Sequence, residues 1–396
     1  MQRHRSVRAR VPALALFCLA SVAEPSGAAS QPAARGLPAL SYAFRFASAI
    51  EKDPKDRAKA QELVVSEYMR AGALDEARQK AESIEGWRRG AVYADLAALL
   101  AKRGRIDEAR SLVAQAQEIG AAVSGWEGPR ILAHIGTALA ALGDQKALSG
   151  ITSDLTAADP LQYSGRAAAS LAASDAARGE VDQALQKLDS LQGNSDFEMS
   201  WWRTAGYLDV ARQENLSRPD RLKALDAAAK AAEGIAGWKR AEAFESLAEE
   251  YQRLGSRDRA AKSLRSAQTA LGSSSPSGGQ AALLSNLAEA WARLGEPRKA
   301  LRLLKQAEPA VEDAMVVDRP GVYANLASSY RRAGDAVQAG RLYDRALDAA
   351  ARLENARPRA LAVTAVCRQM GRNGVELDAK TRGRLDALLA GLRDPW

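Results

Sequence analysis

The sequence predicts an all-α fold, a solenoid of antiparallel helix hairpins, on three observations. Of its 396 residues 47% are hydrophobic but only 5% aromatic, Ala is abundant, and strand-type runs of Val, Ile, Thr and Tyr are scarce, which favours close-packed helices with small contact residues. Glycines at 72, 104, 143, 179, 255, 295, 334 and 371 are separated by 32, 39, 36, 76, 40, 39 and 37 residues, and 76 is twice 38. Apolar residues recur at helical spacing on both sides of each of them. A chain written this way is a repeat of about eight or nine units covering roughly residues 53–391.

The elements follow in order. Residues 1–10, MQRHRSVRAR, form a basic n-region, VPALALFCLASVA an apolar stretch too short to span a membrane, and EPSGAAS a small-residue cleavage region. This is the pattern of a secretory signal peptide, with cleavage expected after Ala29 and Ala23 as the alternative. A lipoprotein reading at Cys18 is disfavoured by the bulky Phe17 before it. Export places the chain in the periplasm or outside the cell, without a membrane span once the signal is gone. The excess of Arg over Lys points to a GC-rich bacterial source. Residues 30–38 read as a flexible leader and 40–50 as an N-terminal packing helix.

Two balances constrain function. Removing residues 1–29, with four Arg and one Glu, lowers the formal charge from +8 to +5. The remaining charges interleave along helix faces, a pattern of solubility and local pairing and not of nucleic-acid binding. Cys367 is then the single cysteine, so stability comes from packing without an intramolecular disulfide, and its apolar setting marks a buried small hydrophobe.

Within each unit the grammar repeats. Eight residues before the glycine stands an aliphatic (Leu96, Ile135, Leu171, Leu247, Leu287, Leu326), followed by a small residue, and four before it a large one (Tyr68, Leu100, Leu139, Tyr251, Trp291, Tyr330). Five after it stands Ala (Ala77, Ala109, Ala184, Ala260, Ala300, Ala339), opening a second helical face. A glycine inside a helix costs about 1 kcal/mol relative to Ala, whereas just past a helix end it takes left-handed geometry freely. Gly334 is therefore expected to end one helix, and Asp75, Asp107, Asp182 and Asp258 to lie in the first turn of the next, where the macrodipole favours an anion. In the unit without a glycine, NLSRPD supplies a Pro-containing turn.

Tyr323, Leu326, Ala327, Tyr330, Gly334, Ala339, Tyr343 and Ala346 resemble the tetratricopeptide repeat, whose pattern is W-x₂-L-G-x₂-Y, then A-x₃-F, then A. Weaker matches run from about 55 to 391. The resemblance implies a right-handed superhelix whose first helices line a concave, partner-binding groove. Units of 36–40 residues exceed the family's 34 and the closing proline is mostly absent, so the pitch does not transfer.

Between units, IEGW (84–87), VSGW (123–126) and IAGW (235–238) recur. Trp87, Trp126 and Trp238 are read as staples fixing the chain's approach to each hairpin, against the alternative of an aromatic row that stacks sugars. The stretch GSSSPSGGQ (272–280) divides the array into an arm of 39–271 and an arm with cap of 281–396. Residues 377–391 form the polar C-terminal cap.

Catalytic residues, metal ligands and cofactor-binding residues are none. His134 is the one histidine after residue 29 and lies on an apolar helix, more than two hundred residues from Cys367, and no P-loop, G-x-G-x-x-G or H-E-x-x-H occurs. The expectation is a non-catalytic scaffold whose partner is a protein or extended acidic peptide. A carbohydrate- or peptidoglycan-binding protein, or a glycan-acting helical toroid with two carboxylates, is the alternative. Asn286 and Asn325, each nine residues before a turn glycine, are placed like family asparagines that hold a peptide backbone. Arg293, Arg331, Arg332 and Arg368 lie on the same faces and would supply charge.

Overall fold

The computed structural model describes residues 30–158, 164–191, 196–272, 278–393 and 396; the expected signal peptide and most of the 272–280 loop lie outside these residues. Among the described residues the chain is all α-helical, with one short 3-10 turn at Pro309–Val311. The first helix of each hairpin is α2 (Pro54–Arg70), α4 (Trp87–Lys102), α6 (Glu127–Leu142), α8 (Ser164–Ala177), α10 (Asp196–Ala211), α12 (Gly237–Arg253), α14 (Gly278–Arg293), α16 (Arg319–Arg332) and α18 (Ala356–Arg372). The returning helices of the first eight are α3 (Leu74–Ala81), α5 (Ile106–Ala122), α7 (Gln145–Ala158), α9 (Val181–Asp189), α11 (Arg218–Ala232), α13 (Arg257–Leu271), α15 (Pro297–Ala307) and α17 (Ala336–Ala351). First helices pack on one another in succession, whereas each returning helix packs on its own partner and on the next first helix. The first helices therefore form the inner wall and the returning helices the outer layer.

Local chemistry places the hairpin turns. Gly334 has φ 95°, left-handed backbone that a side chain resists, and the Asp335 amide then donates back to the Tyr330 carbonyl at 2.9 Å. Asp75, Asp107, Asp182 and Asp258 do lie in first turns of returning helices. In the glycine-free unit the Ser217 hydroxyl accepts from the Asp220 amide at 3.3 Å, with Pro219 in the first turn of α11. The spacing 32, 39, 36 and so on thus reports real turns, with one exception. Gly371 lies inside α18, and the turn glycine of the ninth hairpin is Gly374, with φ 59°.

The displaced glycine leads to the closure of the fold. The returning helix packed along α18 is α1 (Ser30–Ser48), the first described element, while α19 (Ala379–Ala390) lies outside, bonded to α1 and α17. Residues 30–38, read from sequence as a leader, are the opening turns of α1. At Gly371 the chains cross so tightly that a Cβ there would sit 2.5 Å from Leu40 Cδ2, and one on Gly36 would sit 2.0 Å from the Gly371 carbonyl oxygen. Only glycine at both places permits the crossing. Leu40, Phe46 and Ile50 are fully buried, each worth about 1.5–3 kcal/mol as burial. The Thr364 hydroxyl reaches the Ala43 carbonyl at 3.4 Å, and Asp386 accepts from the Tyr42 hydroxyl at 2.9 Å.

Along the inner wall α18 also meets α2, so the array closes on itself as a ring of nine hairpins. Arg357 pairs with Asp53 at 2.8 Å and Asp56 at 3.3 Å, and Arg368 donates to Glu67 at 3.2 Å. These ion pairs join residues about three hundred positions apart. Cys367 is buried there, and desolvation pushes its thiol far above the ordinary range, in keeping with a packing role.

Candidate functional site

The inner wall carries polar side chains at fixed places in the repeat. Nine residues before the turn glycine stand Asp95, His134, Ser170, Asn286 and Asn325. The two asparagines are the ones singled out from sequence. Asn286 is exposed, but Asn325 is engaged: its Oδ1 accepts from Gln369 Nε2 on α18 at 2.6 Å.

Of the arginines expected beside them, most have partners within the wall. Glu289, buried on α14, accepts from the Ser328 hydroxyl at 2.8 Å and the Ser329 hydroxyl at 3.2 Å, and pairs with Arg332 at 2.8 Å and Arg293 at 3.9 Å. Arg332 also donates to Asn373 Oδ1 at 3.0 Å. A buried carboxylate needs such company to stay ionised. Arg368 faces away from this cluster toward Glu67 on α2, and with Gly374 as the true turn it stands six places before the glycine, while Arg372 takes the place of Arg293 and Arg332. Arg331 is exposed and spends one N–H on the Asn373 carbonyl at 3.2 Å. The structure thus brings the predicted residues onto adjacent inner helices and leaves Asn286 and Arg331 the most open of them.

On the other side of the wall, His134 sits in a network that sequence reading missed. Its Nδ1 lies 2.7 Å from Asp95 Oδ1 and its Nε2 accepts from Arg166 at 3.1 Å. Because an arginine can only donate, Nε2 is the acceptor and Nδ1 carries the proton. Burial and the neighbouring Arg166 charge hold His134 below its usual pKa, so it is neutral. Burial works against the charge on Asp95, but the His134 hydrogen bond and the Arg166 and Arg130 guanidiniums outweigh it. Both ring nitrogens are consumed within the wall. The signal for this network was the repeat column itself, in which Asp95 and His134 align with the asparagines.

Farther along, α12 carries Glu242, Glu245 and Glu249, the last two within electrostatic reach of Arg293 on α14. Burial, with Glu289, Glu249 and Glu242 nearby and Arg293 opposing, pushes Glu245 up to about 7. No group of three His, Cys, Asp or Glu side chains arranged to hold a metal occurs among the described residues.

The junction tryptophans correct the staple reading. Gly86, Gly125 and Gly237 have positive φ, and the Trp that follows the last two, Trp126 and Trp238, is turned outward. Ile84 and Ile235, three residues before Trp87 and Trp238, are the fully buried anchors. Trp126 is 55% and Trp238 43% exposed, while Trp87 is partly buried and meets Trp126 edge-on with centroids 5.3 Å apart. Arg88 and Arg130 flank the Trp87 ring. The exposed tryptophans belong to α6 and α12, three hairpins apart, and so make no continuous row.

With this geometry established, a family model described as tetratricopeptide repeat matches residues 90–115, 281–306 and 320–345. These three segments are tetratricopeptide repeats. The three matched segments are α4 with most of α5, α14 with α15, and α16 with most of α17. Curated proteins yield no match. Among solved structures, the chain is similar to a Rap protein complexed with competence and sporulation factor, at 13% identity over 81% of this chain and 98% of that one, with a TM-score of 0.31. It is also similar to the human IFIT1 dimer with m7Gppp-AAAA, at 16% identity over 80% and 73% with a TM-score of 0.28, and to a circular tandem repeat protein, at 13% over 91% and 77% with a TM-score of 0.17. No described helix is long and apolar enough to cross a membrane.

Proposed function

We propose that the protein is an exported, non-catalytic scaffold that grips an extended acidic segment of a partner protein on the inner wall of its ring. The observation that supports this most is the wall formed by α14, α16 and α18, which leaves Asn286 on α14 and Arg331 on α16 exposed while Glu289, Asn373 and Gln369 fix the neighbouring side chains. Rigid placement of a few donors suits an extended backbone and its carboxylates, since little further ordering is required on binding. Export to the periplasm or beyond rests on the signal-like residues 1–29.

The test is photo-crosslinking in cells from position 286, with mass spectrometric identification of the captured protein. Arg331→Glu in the same crosslinking chain should abolish capture while circular dichroism and melting stay unchanged. Arg332 is a poor target, because its reversal would set a carboxylate against Glu289. Full capture by the Arg331→Glu chain would overturn the reading. The exposed Trp126, edge-on to Trp87, favours a second reading in which glycan is stacked at the rim; binding of chitooligosaccharide or peptidoglycan fragments lost in Trp126→Ala would support it.

A further inference from the structure

Six consecutive hairpins place a cation two residues before the turn glycine: Arg253, Arg293, Arg332, Arg372, Arg70 and Lys102. They are consecutive only because closure sets the ninth hairpin beside the first. The third and fourth hairpins have Ala141 and Ala177 at the same place. A cation in the last turn of a helix complements the dipole, but the dipole is the same in every hairpin and does not explain an uninterrupted arc.

Part of the arc is neutralised. Arg253 pairs with Glu249 at 3.2 Å, Arg293 and Arg332 share Glu289, and Arg70 lies 3.7 Å from Glu67. Arg372 and Lys102 are exposed and make no hydrogen bond or ion pair among the described residues. Arg372 projects inward, within electrostatic reach of Glu67 and Arg70 on α2, Glu249 on α12 and Arg332 on α16. Arg331 adds charge to the same mouth, while Arg368 is spent on Glu67.

We propose that this arc is one continuous binding surface for an acidic protein segment, laid around the mouth of the ring and crossing the seam between the chain's first and last hairpins. The proposal rests on the scaffold reading above and extends it to α2 and α4. Inner helices about 9–10 Å apart make the arc roughly 45–50 Å long, a span matched by about 14 extended residues.

A fluorescein-labelled peptide of about 14 glutamates, followed by anisotropy, is the probe. Binding should weaken with salt, and Lys102→Glu with Arg372→Glu should weaken it at least about tenfold, with Lys102→Gln and Arg372→Gln giving a smaller loss in the same direction. A control of equal charge, Arg265→Glu with Arg341→Glu on the exposed outer helices α13 and α17, should change it less than about twofold. Equal losses in both sets would reduce the arc to net charge and overturn the proposal, as would no loss in either. Tighter binding of a single-stranded RNA of equal charge, lost in the same variants, would overturn the protein-segment occupant. If the crosslinked partner of position 286 is kept by the Lys102/Arg372 variant, the scaffold stands and the seam-crossing arc falls.

Discussion

Two stretches of the inner wall, α6 with α8 and α14 through α18, share one backbone frame and differ in chemistry. In the first, the place nine before the turn holds His134 and Ser170, buried and bonded to neighbours, and the place two before it holds Ala141 and Ala177. In the second, the same places hold Asn286 and Asn325, then Arg293, Arg332 and Arg372. The first stretch uses its polar groups to join inner helices to each other. The second has donors and positive charge left over after doing the same, and that surplus is what a partner can use. A repeat frame fixes where a side chain points, and the residue placed there decides between glue and grip.

Opening the ring should have the largest effect, because the second stretch is continuous with α2 only through the seam. Gly371→Val forces a Cβ and two methyls into Leu40 and the Gly36 backbone, and Phe46→Ala leaves a cavity costing about 3–5 kcal/mol. Either should lower the urea midpoint sharply and convert monomer into higher oligomers as the α18 face is exposed; a monodisperse monomer with unchanged midpoint would break the comparison at its root. Next comes the glue itself. Glu289→Ala strands the Arg332 charge beside Ser328 and Ser329 and should cost about 3 kcal/mol, and Asp95→Ala, which leaves the buried His134 Nδ1–H without its acceptor, about 1–3 kcal/mol. If one proves silent in urea melts, the two walls are not held by the same device.

A pH-dependent effect separates the acidic face of α12 from both. The folded state raises Glu245 from 4.5 to about 7, so this group's contribution to stability is full below about pH 4.5 and is lost as the pH rises through about 7, about 3 kcal/mol. Glu245→Gln should flatten stability against pH across that window. A slope equal to that of the parent chain would assign the titration elsewhere. Smallest is Trp126→Ala, expected to cost under about 1 kcal/mol because the ring is largely in water, against about 2–4 kcal/mol for Ile84→Ala; reversed magnitudes would restore the tryptophan as the anchor.

Much of the fold was legible in the sequence, since a left-handed turn demands glycine and Ala pairs demand close helices, and both are local requirements. Gly371 misled for the same reason, as a glycine needed for a crossing looks the same in sequence as one needed for a turn. Closure was not legible, because α1 has no internal pattern that names α18 as its partner. For the wall, position in the repeat located Asn286, Asn325 and the arginines, but pairing depends on a neighbour one hairpin away. The Ser328 and Ser329 hydroxyls that hold Glu289 lie 39 and 40 residues from it, and His134 lies 39 from Asp95. Reading the columns across hairpins, instead of along one, would have found both.

The central claim is that the two ends of the described chain complete one hairpin, and a short crosslink tests it most directly. In the variant Tyr42→Cys with Asp386→Cys, whose parent residues are hydrogen-bonded at 2.9 Å and whose remaining Cys367 is buried, a short bismaleimide should join the two introduced thiols within the monomer. A closed ring yields a crosslinked species of monomer mass, formed at a rate independent of protein concentration. Thiols that stay free, or a crosslink found only in dimers and rising with concentration, would contradict a closed ring.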